Sequence, residues 1–250
     1  HELSDKFLKH AEKFGAIVRQ GTCADIINEG EEKTVILDDG RKVKCKAVII
    51  ATGSKPKKMN AKNEELYIGK GISFCATCDG GFFRNKEVVV VGGGDSALEE
   101  GIFLTKFASK VTIVHRRKEF RAVKIIQKRA AENEKIKFLT PYVVDEVLGN
   151  RVIEGVRLKN TETGEYMDYK TDGIFVFIGW DANTDIFKNI IELTDGGFIR
   201  AGEDTKTNIA GIFAAGDVRK KGLMQVVTAA SDGAAAAKAA EKYISEELNK

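Results

Sequence analysis

Short apolar runs punctuated by glycines and charged residues set the rhythm of this chain, and their period predicts its elements. Leu3, Phe7, Leu8, Ala11 and Phe14 recur near a helical period, so residues 1–14 are expected to form an amphipathic helix ended by Gly15. Residues 16–18 and 22–27 read as short strands. Residues 33–37 and 42–45 flank Asp38-Asp39-Gly40, a turn whose glycine supplies the positive φ that a hairpin needs. Residues 47–50 make a short apolar strand that runs into Ala51-Thr52-Gly53-Ser54, and Pro56 then breaks the pattern. Residues 57–73 are polar and irregular and read as a linker.

Beyond the linker, residues 86–91 carry four consecutive valines, a buried strand, and residues 96–107 a helix. The pattern continues with a strand at 110–114, a helix at 123–133 and a strand at 136–139. Further strands are expected at 143–148, 152–158 and 166–169, then an apolar strand at 173–178 that ends at Gly179. Residues 181–185 read as a second linker. Residues 198–199 form a short strand, residues 209–217 a strand with an acid at its exit, and residues 224–243 an alanine-rich helix followed by a charged tail at 245–250 that is expected to fray.

This order contains a repeat. A strand, a hairpin and an apolar strand ending in glycine occur at residues 22–53 and again at 143–179. In the second copy a glycine turn at Gly92 comes first. The same spacing counted back from Gly53 falls ahead of His1, so the chain is expected to lack the first strand, turn and helix of one of two dinucleotide-binding domains. The fold class expected is α/β, with two Rossmann-like three-layer dinucleotide-binding domains, one interrupted by the other and incomplete at its N-terminal side. Residues 1–57 and 182–250 form the interrupted domain, and residues 58–181 the inserted one.

Composition narrows the function. A net charge of +3 with both signs interspersed leaves no footprint for nucleic acid. No apolar run approaches the roughly 18 residues of a membrane span. Four cysteines in 250 residues are too few for a disulfide scaffold. A Cys-x-x-Cys beside a βαβ pattern reads instead as redox chemistry in a reducing compartment.

That pair is Cys75 and Cys78, followed by Asp79. Half of a zinc site is the competing reading, but Cys23 and Cys45 form no second Cys-x-x-Cys and only three histidines exist. Cys23 and Cys45 are expected to be buried structural residues. Asp79 is either a turn residue or a group that exchanges a proton with a thiolate. Shortly downstream, Gly92-Gly93-Gly94-Asp95-Ser96-Ala97 joins the valine strand to a helix. Gly92 permits the tight turn, Gly94 lets a pyrophosphate approach the backbone, and Ala97 allows close helix–strand packing, with the helix N-terminus facing the phosphates. A tight βα turn without ligand would use the same glycines. The next strand ends where an NAD enzyme carries an acid for the ribose hydroxyls. Here stand His115, Arg116 and Arg117, with Arg121 following, and cations at that place fit a 2′-phosphate and hence NADPH. Gly216-Asp217 at a strand exit is suited to accept a ribitol hydroxyl. Thr52-Gly53 is a weaker signal that close chain packing explains equally well.

Taken together, Ala51-Thr52-Gly53, Cys75-Ala76-Thr77-Cys78-Asp79-Gly80, the glycine turn, His115-Arg116-Arg117 with Phe120-Arg121-Ala122, and Ala214-Ala215-Gly216-Asp217 resemble the low-molecular-weight thioredoxin reductases over essentially the whole chain. The resemblance implies a cytoplasmic homodimeric flavoprotein with an FAD domain interrupted by an NADPH domain that carries the redox-active disulfide. It implies that electrons pass from NADPH through FAD to Cys75–Cys78 and on to thioredoxin. Cys78 would face the flavin, Cys75 would attack the partner's disulfide and Asp79 would act as acid and base. FAD would contact Thr52, Gly53, Gly216, Asp217, Val218, Gln225 and Val226. The family usually carries Arg where Met224 stands and Pro where Ala182 stands, and its N-terminal FAD-pyrophosphate turn has no counterpart in the sequence. A reductase of a peroxiredoxin or glutaredoxin-like partner, a ferredoxin-dependent relative and a non-catalytic NADPH-binding fragment are the alternatives.

Overall fold

The computed structural model describes residues 2–247, so His1 and the end of the tail at 248–250 lie outside the described residues. In chain order the elements begin with α1 (Glu2–Lys13), β1 (Cys23–Glu29), β2 (Glu32–Leu37), β3 (Lys42–Cys45), β4 (Val48–Ile50) and β5 (Ser54–Pro56). They continue with α2 (Glu64–Tyr67), β6 (Ile72–Ser73), α3 (Ala76–Asp79), β7 (Glu87–Val91), α4 (Asp95–Leu104), β8 (Lys110–Val114), α5 (Lys124–Ala131) and β9 (Ile136–Leu139). Then come β10 (Tyr142–Gly149), β11 (Ile153–Asn160), β12 (Tyr166–Lys170), β13 (Gly173–Val176), β14 (Trp180–Ala182), β15 (Ile212–Ala214) and α6 (Val226–Lys242). The chain divides into two compact units, residues 55–181 and residues 1–54 with 182–250.

In the unit 55–181 a five-stranded parallel sheet runs in the order β6-β13-β7-β8-β9. The valines of β7 show why it forms. Val88 and Val90 pack with Leu98 and Ala97 of α4 and Ile126 of α5 on one face. Val89 packs with Val144, Val156 and Leu158 of a three-stranded antiparallel sheet, β10-β11-β12, on the other. A strand covered on both faces has no use for polar positions, which explains the continuous apolar run. Helices, parallel sheet and antiparallel sheet make three layers.

The unit 1–54 with 182–250 repeats the plan in smaller form. Its antiparallel sheet β1-β2-β3 is the counterpart of β10-β11-β12, and the repeat seen in the sequence is this shared element. β15 pairs in parallel with β4, Ile212 opposite Val48 and Ala214 opposite Ile50. Ile26, Ile50 and Ile212 close one core. Phe213, Ala215, Ala236 and Ala240 close a second beneath α6, where alanines let the helix approach the strand.

Several expectations are corrected. Residues 16–18 form no strand, because no ladder partner lies beside them among the described residues. Residues 57–73 are not a linker but part of the packed unit. Ala61, Tyr67 and Ile72 are buried in its core, and the buried Glu64 carboxylate accepts from the amides of Met59 (2.9 Å) and Ala61 (3.3 Å). Residues 198–199 contribute only isolated bridges through Ile199. Cys23 and Cys45 are half-buried rather than buried, and burial still pushes both thiols above their ordinary pKa. The expected amphipathic helix α1 is present with its whole apolar stripe exposed, Phe7 at 53%. The tail runs on through one wide helical turn at Tyr243–Glu247.

Candidate functional site

Cys75 and Cys78 are joined in a disulfide, with Cα atoms 5.3 Å apart. The short helix α3 brings them together. Cys75 caps it, and its Sγ accepts the amide of Cys78 at 3.1 Å. An amide aimed at that sulfur favours a thiolate there when the bond is reduced. Joined in a disulfide, the two sulfurs are not thiolates, the form in which cysteine ligates zinc. Cys78 is exposed, and Cys75 and Asp79 are half-buried.

Ser73, at the end of β6 and buried, was not singled out from the sequence. Its hydroxyl lies 2.6 Å from Asp79 Oδ2 and 3.2 Å from the Cys75 carbonyl, and it accepts the Cys75 amide at 3.1 Å. Asp79 is thereby fixed beside the disulfide rather than left as a free turn residue. Nothing local in the sequence marks a serine for this task.

The glycine turn forms the floor of a cleft of about 450 Å³ that lies entirely within the unit 55–181. Gly92 holds φ +151°, and a Cβ there would meet the Phe177 carbonyl and Ala97. Gly93 has no room for a Cβ because the His115 ring stands against it, whereas Gly94 faces open space. Ala97 is buried under the turn and Ser96 is exposed in the first turn of α4. His115, Arg116 and Arg121 line the cleft, while Arg117 is exposed outside it. Lys57, Lys58 and Asn60 complete the polar wall, and they were missed because their segment read as a linker. No carboxylate is among the lining residues.

His115 stacks on Phe120 with ring centroids 5.3 Å apart. Burial pushes its pKa down, the backbone of Glu119 works against this, and Arg121, Arg116 and Arg117 add to the depression. Its Nε2 is buried without a hydrogen-bond partner. An open glycine backbone, two arginines and a carboxylate-free wall fit a dinucleotide with an added phosphate on its ribose.

In the other unit Thr52 and Gly53 are gripped by Asn183. Thr52 Oγ1 donates to the Asn183 carbonyl at 2.7 Å, and Asn183 returns its side-chain amide to Thr52 O and its backbone amide to Gly53 O. Gly216 takes φ +74° at the exit of β15, with Asp217 and the buried Val218 following in one helical turn. Asp217 Oδ1 is buried with no hydrogen-bond partner, and Lys221 Nζ stands 3.5 Å away. An acceptor in that state fits a ribitol hydroxyl. Gln225 caps α6 in a reciprocal box with Thr228, and Val226 is exposed at the helix start. Asp232, which the sequence did not mark, accepts from the Gly216 amide at 2.9 Å and pairs with Arg219 at 2.7 Å and Lys221 at 3.1 Å, so it ties α6 to the Gly216 turn.

No helix among the described residues is long and apolar enough to cross a membrane.

The model of the pyridine nucleotide-disulphide oxidoreductase family matches residues 4–233. The thioredoxin reductase of Bacillus subtilis (strain 168) is 46% identical over 246 residues, covering 98% of this chain and 78% of that protein. The thioredoxin reductase of Peptoclostridium litorale is 47% identical over 98% of this chain and 79% of its own length. Among solved structures, thioredoxin reductase from Streptococcus pyogenes MGAS5005 superposes with a TM-score of 0.90 at 42% identity, covering 97% of this chain and 79% of that one. The family uses FAD and NADPH. With a disulfide beside an acid and a phosphate-ready cleft in the same unit, and these matches along its length, the chain belongs to the pyridine nucleotide-disulphide oxidoreductases, among the low-molecular-weight thioredoxin reductases.

Proposed function

We propose that this chain passes electrons from NADPH, by way of FAD, to the disulfide of a thioredoxin, and that Cys75 and Cys78 carry out the last exchange. The observation that supports this most directly is the Cys75–Cys78 disulfide held next to Asp79 by one buried hydroxyl. NADPH supplies a hydride and FAD relays the two electrons when they are bound. Residues 58–181 are the NADPH domain in this reading. Arg116 and Arg121 with His115 hold the 2′-phosphate, with Arg117 standing exposed outside the cleft, while Gly92, Gly93, Gly94, Asp95, Ser96 and Ala97 build the pyrophosphate turn. Residues 1–57 and 182–250 are the FAD domain, with Thr52, Gly53, Gly216, Asp217, Val218, Gln225 and Val226 toward the flavin.

The exchange itself balances on this chain's own groups. The Cys75 thiolate attacks one sulfur of the partner's disulfide, a mixed disulfide forms and the displaced partner thiolate takes a proton. Asp79 is the group placed to give or receive that proton. The Cys78 thiolate then attacks Cys75 Sγ, which restores Cys75–Cys78 and frees the partner's second thiol. A homodimer is the setting that the family offers, and a cytoplasmic location fits a dithiol that works in a reduced thiol pool.

The test is the visible absorption spectrum of the purified chain after incubation with FAD and desalting, followed by thioredoxin reduction with NADPH. A retained flavin band with turnover supports the reductase. A colourless chain that binds NADPH and reduces nothing would leave it a nucleotide-binding fragment. Turnover with a peroxiredoxin or glutaredoxin-like protein and none with thioredoxin would move the partner assignment.

A further inference from the structure

We propose that Asp95 and Thr161 are positioning residues for 2′-phosphate recognition, fastening from two sides the loop that carries Arg116 and Arg121. The proposal rests on the dinucleotide reading of the cleft. Between β8, ending at Val114, and α5, starting at Lys124, the chain has neither helix nor strand. Two long cations on such a loop bind a phosphate well only if the backbone beneath them is already fixed, because ordering it on binding costs entropy.

The structure fixes it at both ends. On the side of the glycine turn, Gly93 O accepts the amides of Arg121 (2.8 Å) and Ala122 (3.2 Å), and Asp95 Oδ1 accepts the amide of Val123 at 2.7 Å. On the other side, the turn between β11 and β12 reaches over. Thr161 Oγ1 donates to the Arg116 carbonyl at 3.0 Å, and Glu162 pairs with Lys118 at 2.8 Å. Asp95 is not among the residues lining the cleft. Its negative charge works against an anion, so only its hydrogen bond to the loop can favour one. Pyrophosphate turn and 2′-phosphate loop are thereby one mechanical piece, and a hairpin distant in sequence sets the place of Arg116.

Isothermal titration calorimetry of the full chain with 2′,5′-ADP and with AMP reads this without turnover. The unaltered chain is expected to prefer 2′,5′-ADP. Thr161→Val is expected to weaken 2′,5′-ADP about tenfold while AMP changes by less than about twofold, the scale of one lost hydrogen bond, and Asp95→Ala, which also alters the pyrophosphate turn, is expected to weaken 2′,5′-ADP several-fold more than AMP. Asp95→Asn, which keeps an acceptor oxygen and drops the charge, should bind 2′,5′-ADP at least as well as the unaltered chain. Undiminished preference in Asp95→Ala and Thr161→Val, or an equal loss for both ligands, overturns the proposal while the cleft assignment stands. No preference in the unaltered chain overturns the 2′-phosphate assignment itself and the proposal with it. Should Asp95→Ala fail to fold, Thr161→Val, on a different element, decides alone.

Discussion

Ser73 holds Asp79 by a hydrogen bond of 2.6 Å from its buried hydroxyl to the carboxylate, and the same oxygen accepts the amide of Cys75. One side chain thus sets the distance between the acid and the disulfide. Ser73→Ala is expected to lower kcat for thioredoxin reduction about tenfold through a misplaced acid, a fraction of what general acid–base catalysis contributes. KM for thioredoxin should stay unchanged, and Ser73→Thr, which keeps the hydroxyl, should recover most of the loss. A rise in KM with kcat intact would assign Ser73 to partner docking instead.

Cys75→Ser and Cys78→Ser are each expected to abolish thioredoxin reduction, because without Cys75 nothing attacks the partner's disulfide and without Cys78 the mixed disulfide is not resolved. The substitution at Cys75 is a clean test. Serine is a favoured helix cap, so it can take over the Cys78 amide that Cys75 Sγ now accepts, and the fold of α3 should survive. Turnover persisting in either variant, measured with NADPH and thioredoxin, removes the dithiol from the mechanism.

How far the sequence carried these conclusions differs from part to part. The parallel sheet was legible because Val88, Val89, Val90 and Val91 are apolar on both faces, and both hairpins were legible because their turns are local. Cys75, Cys78 and the glycine turn were legible because spacing alone defines them. Residues 57–73 were not. Their buried positions are scattered, and Glu64 is buried only because two backbone amides meet it, a condition visible in space and not along the chain. Lys57, Lys58 and Asn60 were lost with that segment. Ser73 and Asp232 were missed because a serine or an aspartate gains its role from partners that folding brings to it. In α1 the opposite occurred. Its helical period was read correctly, but period alone says nothing about cover, and Leu3, Phe7 and Phe14 stand exposed.

Arg116 lines the cleft beside Gly93, and its charge is the kind of partner that distinguishes a phosphate from a hydroxyl. Arg116→Ala is expected to raise the dissociation constant for NADPH about tenfold or more, the range of a lost hydrogen bond to a charged group. NADH should change by less than about twofold. Fluorescence titration with the two nucleotides measures both. Equal losses would mean that Arg116 acts on the common part of the ligand or on the fold, and the 2′-phosphate assignment would fall.

Asp232 gives the chain a defined response to acid. Hydrogen bonds from Arg219 hold its carboxyl down, with Lys221 and the Gly216 amide helping against the cost of burial, and its pKa falls from 3.8 to about 2. A carboxylate depressed in the folded state contributes stability that is full above its unfolded pKa and is lost as pH falls through the folded one. The window here is from about pH 4 down to about pH 2, and the contribution is at most about 2 kcal/mol. Urea unfolding midpoints measured across that window should therefore drop in the unaltered chain and drop less in Asp232→Asn, whose side chain cannot titrate. Asp232→Asn should also be less stable near neutral pH, because Arg219, only 3% exposed, would keep its burial and lose its closest charge. The same loss should loosen the Gly216 turn and weaken FAD retention after desalting. Parallel acid profiles for the two proteins would show that the Arg219–Asp232 pair does not set the response.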